Sequence, residues 1–217
     1  MKIHEYQGKA VLRKFGVKVP DGELARTVDD AAAVAKRIGY PVVLKAQAAA
    51  LSHKTEAGGV MLNLTDDGAL RSAWDSLIKN VKRAAPEIIL DGVLVEKMSP
   101  KGVELMVGAK RDPAWGTVLL LGLGGIWVEA LGDVQLLPGD ASKEQIIEAL
   151  GKLRSAKLLA GVRGAPPVDI EAVAQVAVSI GRLMQTVPEL TEIDVNPLMA
   201  HAKGQGATAL DALIVTE

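Results

Sequence analysis

The feature that most constrains the fold is a regular alternation of polar and apolar residues near the C-terminus. The residues from 189 onward read ELTEIDVNP. Side chains of a β-strand alternate between its two faces. The pattern therefore predicts a strand with Glu192, Asp194 and Asn196 on one face and the intervening apolar residues on the other. Three oxygen-bearing side chains in a row suit a hard divalent cation.

A second C-terminal segment, residues 207–215, places Asp211 inside an apolar run and predicts a closing strand. A carboxylate in such a run must be paired, hydrogen-bonded or bound to a metal. A symmetric hairpin centred between Lys203 and Gly204 sets Asn196 directly opposite Asp211. Cross-strand neighbours have Cβ atoms about 4.5–5.5 Å apart, so both residues could ligate one ion. The alternative is a solvated polar strand face, with Asp211 satisfied by a backbone donor.

Composition excludes several classes of function. Apolar residues make up 49% of the 217 residues, which is typical of a globular chain. The 25 Lys and Arg residues nearly balance 26 Asp and Glu residues, so the basic field of a nucleic-acid or anionic-membrane binder is missing. The absence of cysteine excludes disulfides and cysteine nucleophiles. The longest apolar run is far shorter than the roughly 20 residues of a membrane span, and we expect a cytoplasmic protein.

The order of helix and strand patterns predicts an α+β (α/β) chain with two lobes. Residues 1–20 form an N-terminal helix and extended segment that pack on the second lobe. The first lobe covers residues 21–95 and the second lobe residues 96–217, with a hinge near 96–102. Helices are predicted at 4–15, 27–38, 65–85, from 142 onward and at 169–186. Ser142 and Gln145 complete a capping box, as do Thr27 and Asp30.

Lys45 is predicted at the end of a buried strand and is followed by a glycine-containing loop. Lysine is rarely buried without a partner, so an anion is expected next to Lys45. The loop contains His53, Lys54, Gly58 and Gly59. Glycine pairs let backbone N–H groups approach a phosphate, and His53 offers a nucleophilic or basic nitrogen beside a positive charge. A surface loop with a solvated histidine is the alternative.

Two further segments are candidates for ligand contacts. The cluster Gly122–Gly125 follows an apolar strand, but no long helix or Gly-Lys-Ser/Thr sequence follows it, so a tight turn is the alternative to a phosphate cradle. The predicted hinge contains Glu96, Lys97, Met98 and, shortly after, Glu104. Hinges between lobes commonly bind ligands. A strand end can contact an adenine edge and a carboxylate can accept from ribose, although an ordinary exposed turn fits equally well.

These segments occur together and in order, and the combination resembles the ATP-grasp fold. LSHKTEAGGV, GLGGIWVEALGDV and TEIDVNPL are similar to signatures of the β subunit of ADP-forming acetyl-CoA and acyl-CoA synthetases. The opening, MKIHEYQGKAVLRKFGVKVP, resembles the β subunit of succinyl-CoA synthetase, a relative with the same nucleotide fold. The resemblance covers nearly the whole chain.

The resemblance implies that ATP or ADP binds between two α+β lobes. It implies that Lys45 holds phosphates, that Glu96 and Met98 face adenine and that Glu104 contacts ribose. The implied nucleotide-binding residues are Lys45, Lys54, Gly58, Gly59, Glu96, Lys97, Met98, Glu104, Gly124 and Gly125.

The resemblance also implies a metal site, a phosphoryl relay and a partner. Asn196 and Asp211 would ligate Mg²⁺, with Glu192 and Asp194 as outer or alternative ligands. His53 would receive a phosphoryl group from a phosphohistidine on a CoA-binding α subunit or domain and pass it to ADP. The chain would then be one component of a hetero-oligomeric acid–CoA ligase that is inactive alone.

Two alternatives are compatible with the same residues. One is an ATP-grasp carboxylate ligase that makes an acyl phosphate directly and needs no loop histidine. The other is a nucleotide-binding module without turnover, against which the acidic residues argue, since a sensor needs fewer metal ligands.

Overall fold

The computed structural model describes residues 1–48, 51, 54–125, 132–162 and 164–217. His53, the predicted phosphoryl carrier, lies outside the described residues. The described chain forms two compact units: unit 1 comprises Met1–Val19 and Ser99–Glu217, and unit 2 comprises Pro20–Met98. Within the described residues, no helix has the length and apolar character needed to cross a membrane.

Unit 2 combines one antiparallel sheet with two helices. Its elements are β2 (Gly22–Ala25), α2 (Val28–Ile38), β3 (Val42–Gln47), β4 (Val60–Leu64), α3 (Asp67–Ala84) and β5 (Gly92–Lys97). The strand order is β2-β5-β3-β4. Leu44 of the sheet and Leu70 and Leu77 of α3 are fully buried in one apolar cluster, and burial of such side chains is the main stabilising contribution to this unit.

The ends of the unit 2 helices follow from local side-chain chemistry. The predicted capping box is confirmed: Thr27 Oγ1 accepts from the Asp30 N–H at 3.1 Å, and the Thr27 N–H donates to Asp30 Oδ2 at 3.2 Å. Helix α3 begins at Asp67, two residues later than the predicted Thr65, because Asp66 Oδ1 accepts from the Ala69 N–H at 2.8 Å and caps the helix there.

Unit 1 is built around a seven-stranded antiparallel sheet. Its strands are β1 (Lys2–Ile3), β6 (Val103–Asp112), β7 (Gly116–Leu123), β8 (Val134–Pro138), β9 (Leu190–Ala200), β10 (Ala207–Ala209) and β11 (Leu213–Thr216). Its described helices are α1 (Glu5–Lys14), α4 (Lys143–Gly151), α5 (Ala156–Leu159) and α6 (Ile170–Thr186). The strand order is β1-β11-β9-β6-β7-β8, and β10 pairs with β9.

The two faces of the unit 1 sheet differ in character. Val107 of β6 and Val195 of β9 belong to a buried apolar cluster with Ile180 and Leu183 of α6. Because strand side chains alternate, residues such as Gly108 lie on the opposite face, which we call the polar face. The polar face therefore carries the acidic residues that the sequence alternation predicted.

Helix α1 buries a different face from the predicted one. In the sequence, Tyr6, Val11, Leu12 and Phe15 lie roughly on one face of the helix predicted at 4–15, and this spacing predicts that this face is buried. Instead, the buried residues of α1 are Glu5, Gly8, Lys9 and Leu12. A charged pair thus takes core positions that the hydrophobic pattern could not identify.

Candidate functional site

Strand β9 presents the predicted polar side chains on one face. Glu192, Asp194 and Asn196 are half-buried, while Ile193 and Val195 between them are buried in the core. The predicted alternation is confirmed for this stretch. The strand thus aligns two carboxylates and one amide without burying any of them completely.

A β-bulge in the ladder between β6 and β9 lies beside Asn196. The ladder between β6 and β9 shifts by one residue between Leu105 and Val107. Bulges change the direction of nearby side chains. Here Asn196 Oδ1 accepts a hydrogen bond from the Gly125 N–H at 2.9 Å, so the amide oxygen lies against the glycine cluster that follows β7.

The hairpin register is the predicted one. Strands β10 and β11 both pair with β9, and the residue pairs on the two sides of the gap between them share one register: Ala209 pairs with Leu198, and Leu213 pairs with Asp194. Continued across residues 210–212, this register sets Asp211 opposite Asn196. The expectation of a single strand over 207–215 is wrong, since Asp211 lies between β10 and β11, where its Oδ1 accepts from the Ala212 N–H at 2.8 Å.

Negative charge concentrates around Asp194. Burial raises the pKa of Asp194 from 3.8 to about 6, with further contributions from the carboxylates of Glu192 and Asp211. On the neighbouring strand, a Cβ at Gly108 would lie 3.8 Å from Asp194 Oδ1. Within the described part of the chain, no three Asp, Glu, His or Cys side chains converge closely enough to hold an ion by themselves. A cation next to Asp194 would favour its charged form.

The glycine cluster packs against Glu104. The Gly124 N–H donates to the Glu104 carbonyl at 2.9 Å. Gly125 has φ +61°, and a Cβ there would collide with a carboxylate oxygen of Glu104. Only glycine combines this backbone conformation with the close approach. Glu104, Gly124, Gly125 and Asn196 are thus brought together in unit 1.

Unit 2 contains a buried ion pair between two predicted site residues. Lys45 Nζ lies 3.0 Å from Glu96 Oε2, and both side chains are at least 90% buried. The anion expected next to Lys45 is therefore supplied at least in part by Glu96. The prediction that Lys45 ends its strand is wrong, because β3 continues to Gln47.

The predicted hinge segment is bonded to the end of α2 and the turn after it. Lys97 Nζ donates to the carbonyls of Gly39 at 3.0 Å and Tyr40 at 2.7 Å. The Met98 N–H donates to the Pro41 carbonyl at 3.0 Å. A cation is favourable at a helix C-terminus, so the Lys97 ammonium has a structural role in unit 2.

The described part of the glycine loop forms a closed turn. The Gly58 N–H donates to the Thr55 carbonyl at 3.0 Å, and the Gly59 N–H donates to the Lys54 carbonyl at 2.7 Å. A Cβ at Gly58 would lie 2.8 Å from Asn80 Nδ2 of α3. In this conformation both glycine N–H groups are bonded within the turn, and the glycines allow it to pack against the helix.

A pocket of about 910 Å³ lies on the polar face of unit 1. Its lining is mainly apolar, with contributions from Trp115, Leu120 and Leu136, and it includes Glu192 and Asp194. Trp115 is 83% exposed. The acidic residues of β9 thus border a cavity on the same sheet face as the glycine cluster.

Two features of unit 1 were missed by sequence reasoning. The first is Gly108, whose place within an apolar strand was a signal for a close approach. The second is the Glu5–Lys9 pair, whose spacing of four residues predicts an ion pair on a helix but gives no indication of its burial.

Comparisons with known proteins identify close relatives. A family model described as an ATP-grasp domain matches residues 2–216. Trans-feruloyl-CoA synthase FCS1 from an unidentified prokaryote is 46% identical over 99% of this chain and 30% of the relative. The β subunit of ADP-forming acetate–CoA ligase I from Pyrococcus furiosus is 38% identical over 97% of this chain and 90% of the relative. The chain thus spans about a third of the first relative and most of the second.

Solved structures give the same result. Acetyl-coenzyme A synthetase 1 from Candidatus Korarchaeum cryptofilum, in complex with coenzyme A and Ca-AMPCP, superposes with a TM-score of 0.96 at 35% identity, covering all of this chain and 93% of that chain. A complex of the same enzyme with coenzyme A and Mg-AMPPCP, with its phosphohistidine segment pointing towards the nucleotide site, gives 0.83 at 33% identity, covering 98% and 92%. These matches confirm the ATP-grasp fold and the resemblance that the motifs indicated.

Proposed function

Because the chain belongs to the ATP-grasp domain family, and within it to the β subunits and domains of ADP-forming acyl-CoA synthetases, we propose that it binds ADP or ATP with Mg²⁺ and transfers a phosphoryl group between nucleotide and phosphohistidine. The observation that carries this proposal is the hairpin register that sets Asp211 opposite Asn196. Because cross-strand neighbours have Cβ atoms about 4.5–5.5 Å apart, that register supports a shared position for the two side-chain oxygen donors, and the charge of Asp211 acts on the carboxyl group of Asp194.

The oxygen donors at this position fit a magnesium ion. Mg²⁺ is usually held by one or two protein ligands together with substrate phosphates. Asn196 and Asp211 would hold it, and Glu192 and Asp194 would add negative charge. Asn196 Oδ1 has a second lone pair beyond its bond from Gly125. When bound, Mg²⁺ neutralises phosphate charge during phosphoryl transfer.

The remaining predicted residues are assigned to the nucleotide. Lys45 has three N–H donors and would bind phosphate oxygens while retaining its ion pair with Glu96. The exposed carboxylate of Glu104 would accept from ribose. Gly125, which lacks a Cβ, leaves room for the Glu104 carboxylate to lie against the glycine cluster. The backbone carbonyls of Lys97 and Met98 and the side chain of Lys54 would complete the assignment, with Gly58 and Gly59 giving the loop its conformation.

His53 is proposed as the phosphoryl carrier. A ring nitrogen of His53 would attack the phosphorus of a phosphohistidine on the partner, breaking the partner's P–N bond. A β-phosphate oxygen of ADP would then attack the same phosphorus and break the P–N bond to His53, which yields ATP and neutral histidine. The partner would be a CoA-binding subunit or domain that carries out the acyl chemistry, so the chain alone would not turn over.

The test is ATP formation from acyl-CoA, ADP and phosphate after mixing the chain with its CoA-binding partner. We expect His53→Ala to abolish ATP formation and to prevent ³²P from ATP being retained on the chain. His4→Ala is the matched control, because it removes an imidazole at the residue before α1 that is not among the predicted site residues. Full ATP formation by His53→Ala would eliminate the relay and favour a ligase that makes an acyl phosphate directly.

A further inference from the structure

An ion pair is buried in unit 1 outside the proposed nucleotide site. Lys9 Nζ lies 2.7 Å from Glu5 Oε1, one helical turn away on α1, and the two side chains are 4% and 2% exposed. Removing two charges from water costs several kcal/mol per ion in proteins, so apolar residues often serve stability as well or better. The pair therefore calls for a role beyond holding α1 in place.

The Lys9 ammonium has a second acceptor. Lys9 Nζ donates to the carbonyl of Leu210 at 2.6 Å. Leu210 begins the three-residue gap between β10 and β11 and immediately precedes Asp211. Lys9 thus reaches the backbone beside a proposed metal ligand.

This bond replaces one that the sheet cannot form. The Leu210 N–H donates to the Pro197 carbonyl at 3.0 Å. In an antiparallel pair of this kind, the opposite residue returns a bond from its own N–H. Proline has no N–H, so Pro197 cannot donate to the Leu210 carbonyl. Lys9 supplies the missing donor.

The place where Lys9 replaces the ladder hydrogen bond lies next to the proposed metal ligands. Leu210 and Pro197 are register partners. Leu210 directly precedes Asp211 and Pro197 directly follows Asn196, so each lies next to a proposed ligand. The backbone at Asp211 lies outside any strand, so few ladder bonds fix its direction. The Lys9 bond is one of the contacts that do, together with the Ala212 N–H that donates to Asp211 Oδ1.

From this geometry we infer that Lys9 is a positioning residue for the metal site: it fixes the backbone before Asp211 in place of the hydrogen bond that Pro197 cannot donate. Glu5 holds the Lys9 ammonium in the orientation that reaches Leu210. This inference rests on the proposed function, since it concerns the same Mg²⁺ ligands. It adds a requirement, on helix α1, that lies outside the nucleotide-contacting residues.

The test measures Mn²⁺ binding to the full 217-residue chain with ADP present, by electron paramagnetic resonance of free Mn²⁺. Lys9→Met should weaken Mn²⁺ binding by about 10- to 100-fold, the range typical for residues that orient metal ligands. Glu5→Gln should weaken it much less, because an amide oxygen at this position can still accept from Lys9 and keep it directed at Leu210. ADP binding without metal should be unchanged in both variants, which a general structural defect would not permit.

Two further variants separate the possible outcomes. If Lys9→Met does not fold, Glu5→Leu/Lys9→Met removes both charges together and should show the same loss of Mn²⁺ affinity. Unchanged Mn²⁺ affinity in a folded Lys9 variant, with a loss in Asp211→Ala, overturns the role of Lys9 and leaves the proposed function intact. Unchanged affinity in Asp211→Ala overturns the metal site itself, and the inference with it.

Discussion

Replacing Asp194 by Asn should stabilise the metal-free protein at neutral pH. A carboxyl group whose pKa is higher in the folded than in the unfolded state destabilises the fold once it is ionised. A rise from 3.8 to about 6 corresponds to about 3 kcal/mol above pH 6, since one pKa unit is worth about 1.4 kcal/mol. Because Asp194 keeps some contact with water, we expect about 1–2 kcal/mol.

The pH dependence has a defined sign. The penalty is complete above the folded pKa and disappears as the pH falls below the unfolded value of 3.8. The advantage of Asp194→Asn should therefore be largest near pH 8 and shrink to about a third near pH 4.5. Bound Mg²⁺ should reverse the effect, because a cation favours the ionised carboxylate.

The assay is thermal unfolding followed by circular dichroism in the presence of a chelator. For a chain of this size, the gain corresponds to a Tm increase of about 2–8 °C near pH 8. Glu189→Gln, which removes an exposed carboxylate just before β9, is the matched control and should leave Tm unchanged. An Asp194→Asn variant no more stable than the unaltered chain near pH 8, or equally favoured near pH 4.5, would refute the electrostatic reasoning.

Two further variants test the frame around the site in urea unfolding. Gly125→Ala should cost about 1–3 kcal/mol through its positive φ and its collision with Glu104. Gly132→Ala, also at positive φ but with no atom of the described residues within 4 Å of the added Cβ, should cost less. Equal costs would contradict the contribution of the collision. Burial raises the pKa of Asp169, but bonds from three backbone N–H groups lower it by more. Asp169→Ala should therefore cost about 2–4 kcal/mol at neutral pH, more than the exposed cap variant Asp66→Ala, and this difference should fade as the pH falls below 3.8. A difference that persists in acid would contradict the role of the charge.

Local patterns predicted the parts of the fold that local chemistry determines. The Thr27 capping box depends on residues three positions apart, and the hairpin register depends on one short turn-like stretch. Both are confirmed because no distant contact is needed to form them. The polar face of β9 was predictable for the same reason, since alternation with a period of two is unambiguous over six residues.

Features that depend on distant contacts were not predictable. Strand β2, Gly22–Ala25, has little alternation and forms through its pairing with β5. The interruption of the last strand at Asp211 reflects Pro197 across the hairpin and Lys9 on α1. Likewise, the Lys45–Glu96 pair joins neighbouring strands β3 and β5 that are separated by half of unit 2 in sequence. The periodicity of apolar residues and the amino-acid composition carry no information about pairings between residues far apart in the sequence.

The interruption of unit 1 by unit 2 has a consequence for folding on the ribosome. Residues Pro20–Met98 are contiguous, so this unit can fold as soon as it has emerged from the exit tunnel. Strand β9, which lies between β6 and β11, is synthesised about 90 residues after β6 begins, and the contacts of α1 wait for the last strand. Helix α1, with its two charges destined for the interior, therefore cannot complete its packing until β9 and β11 have been synthesised.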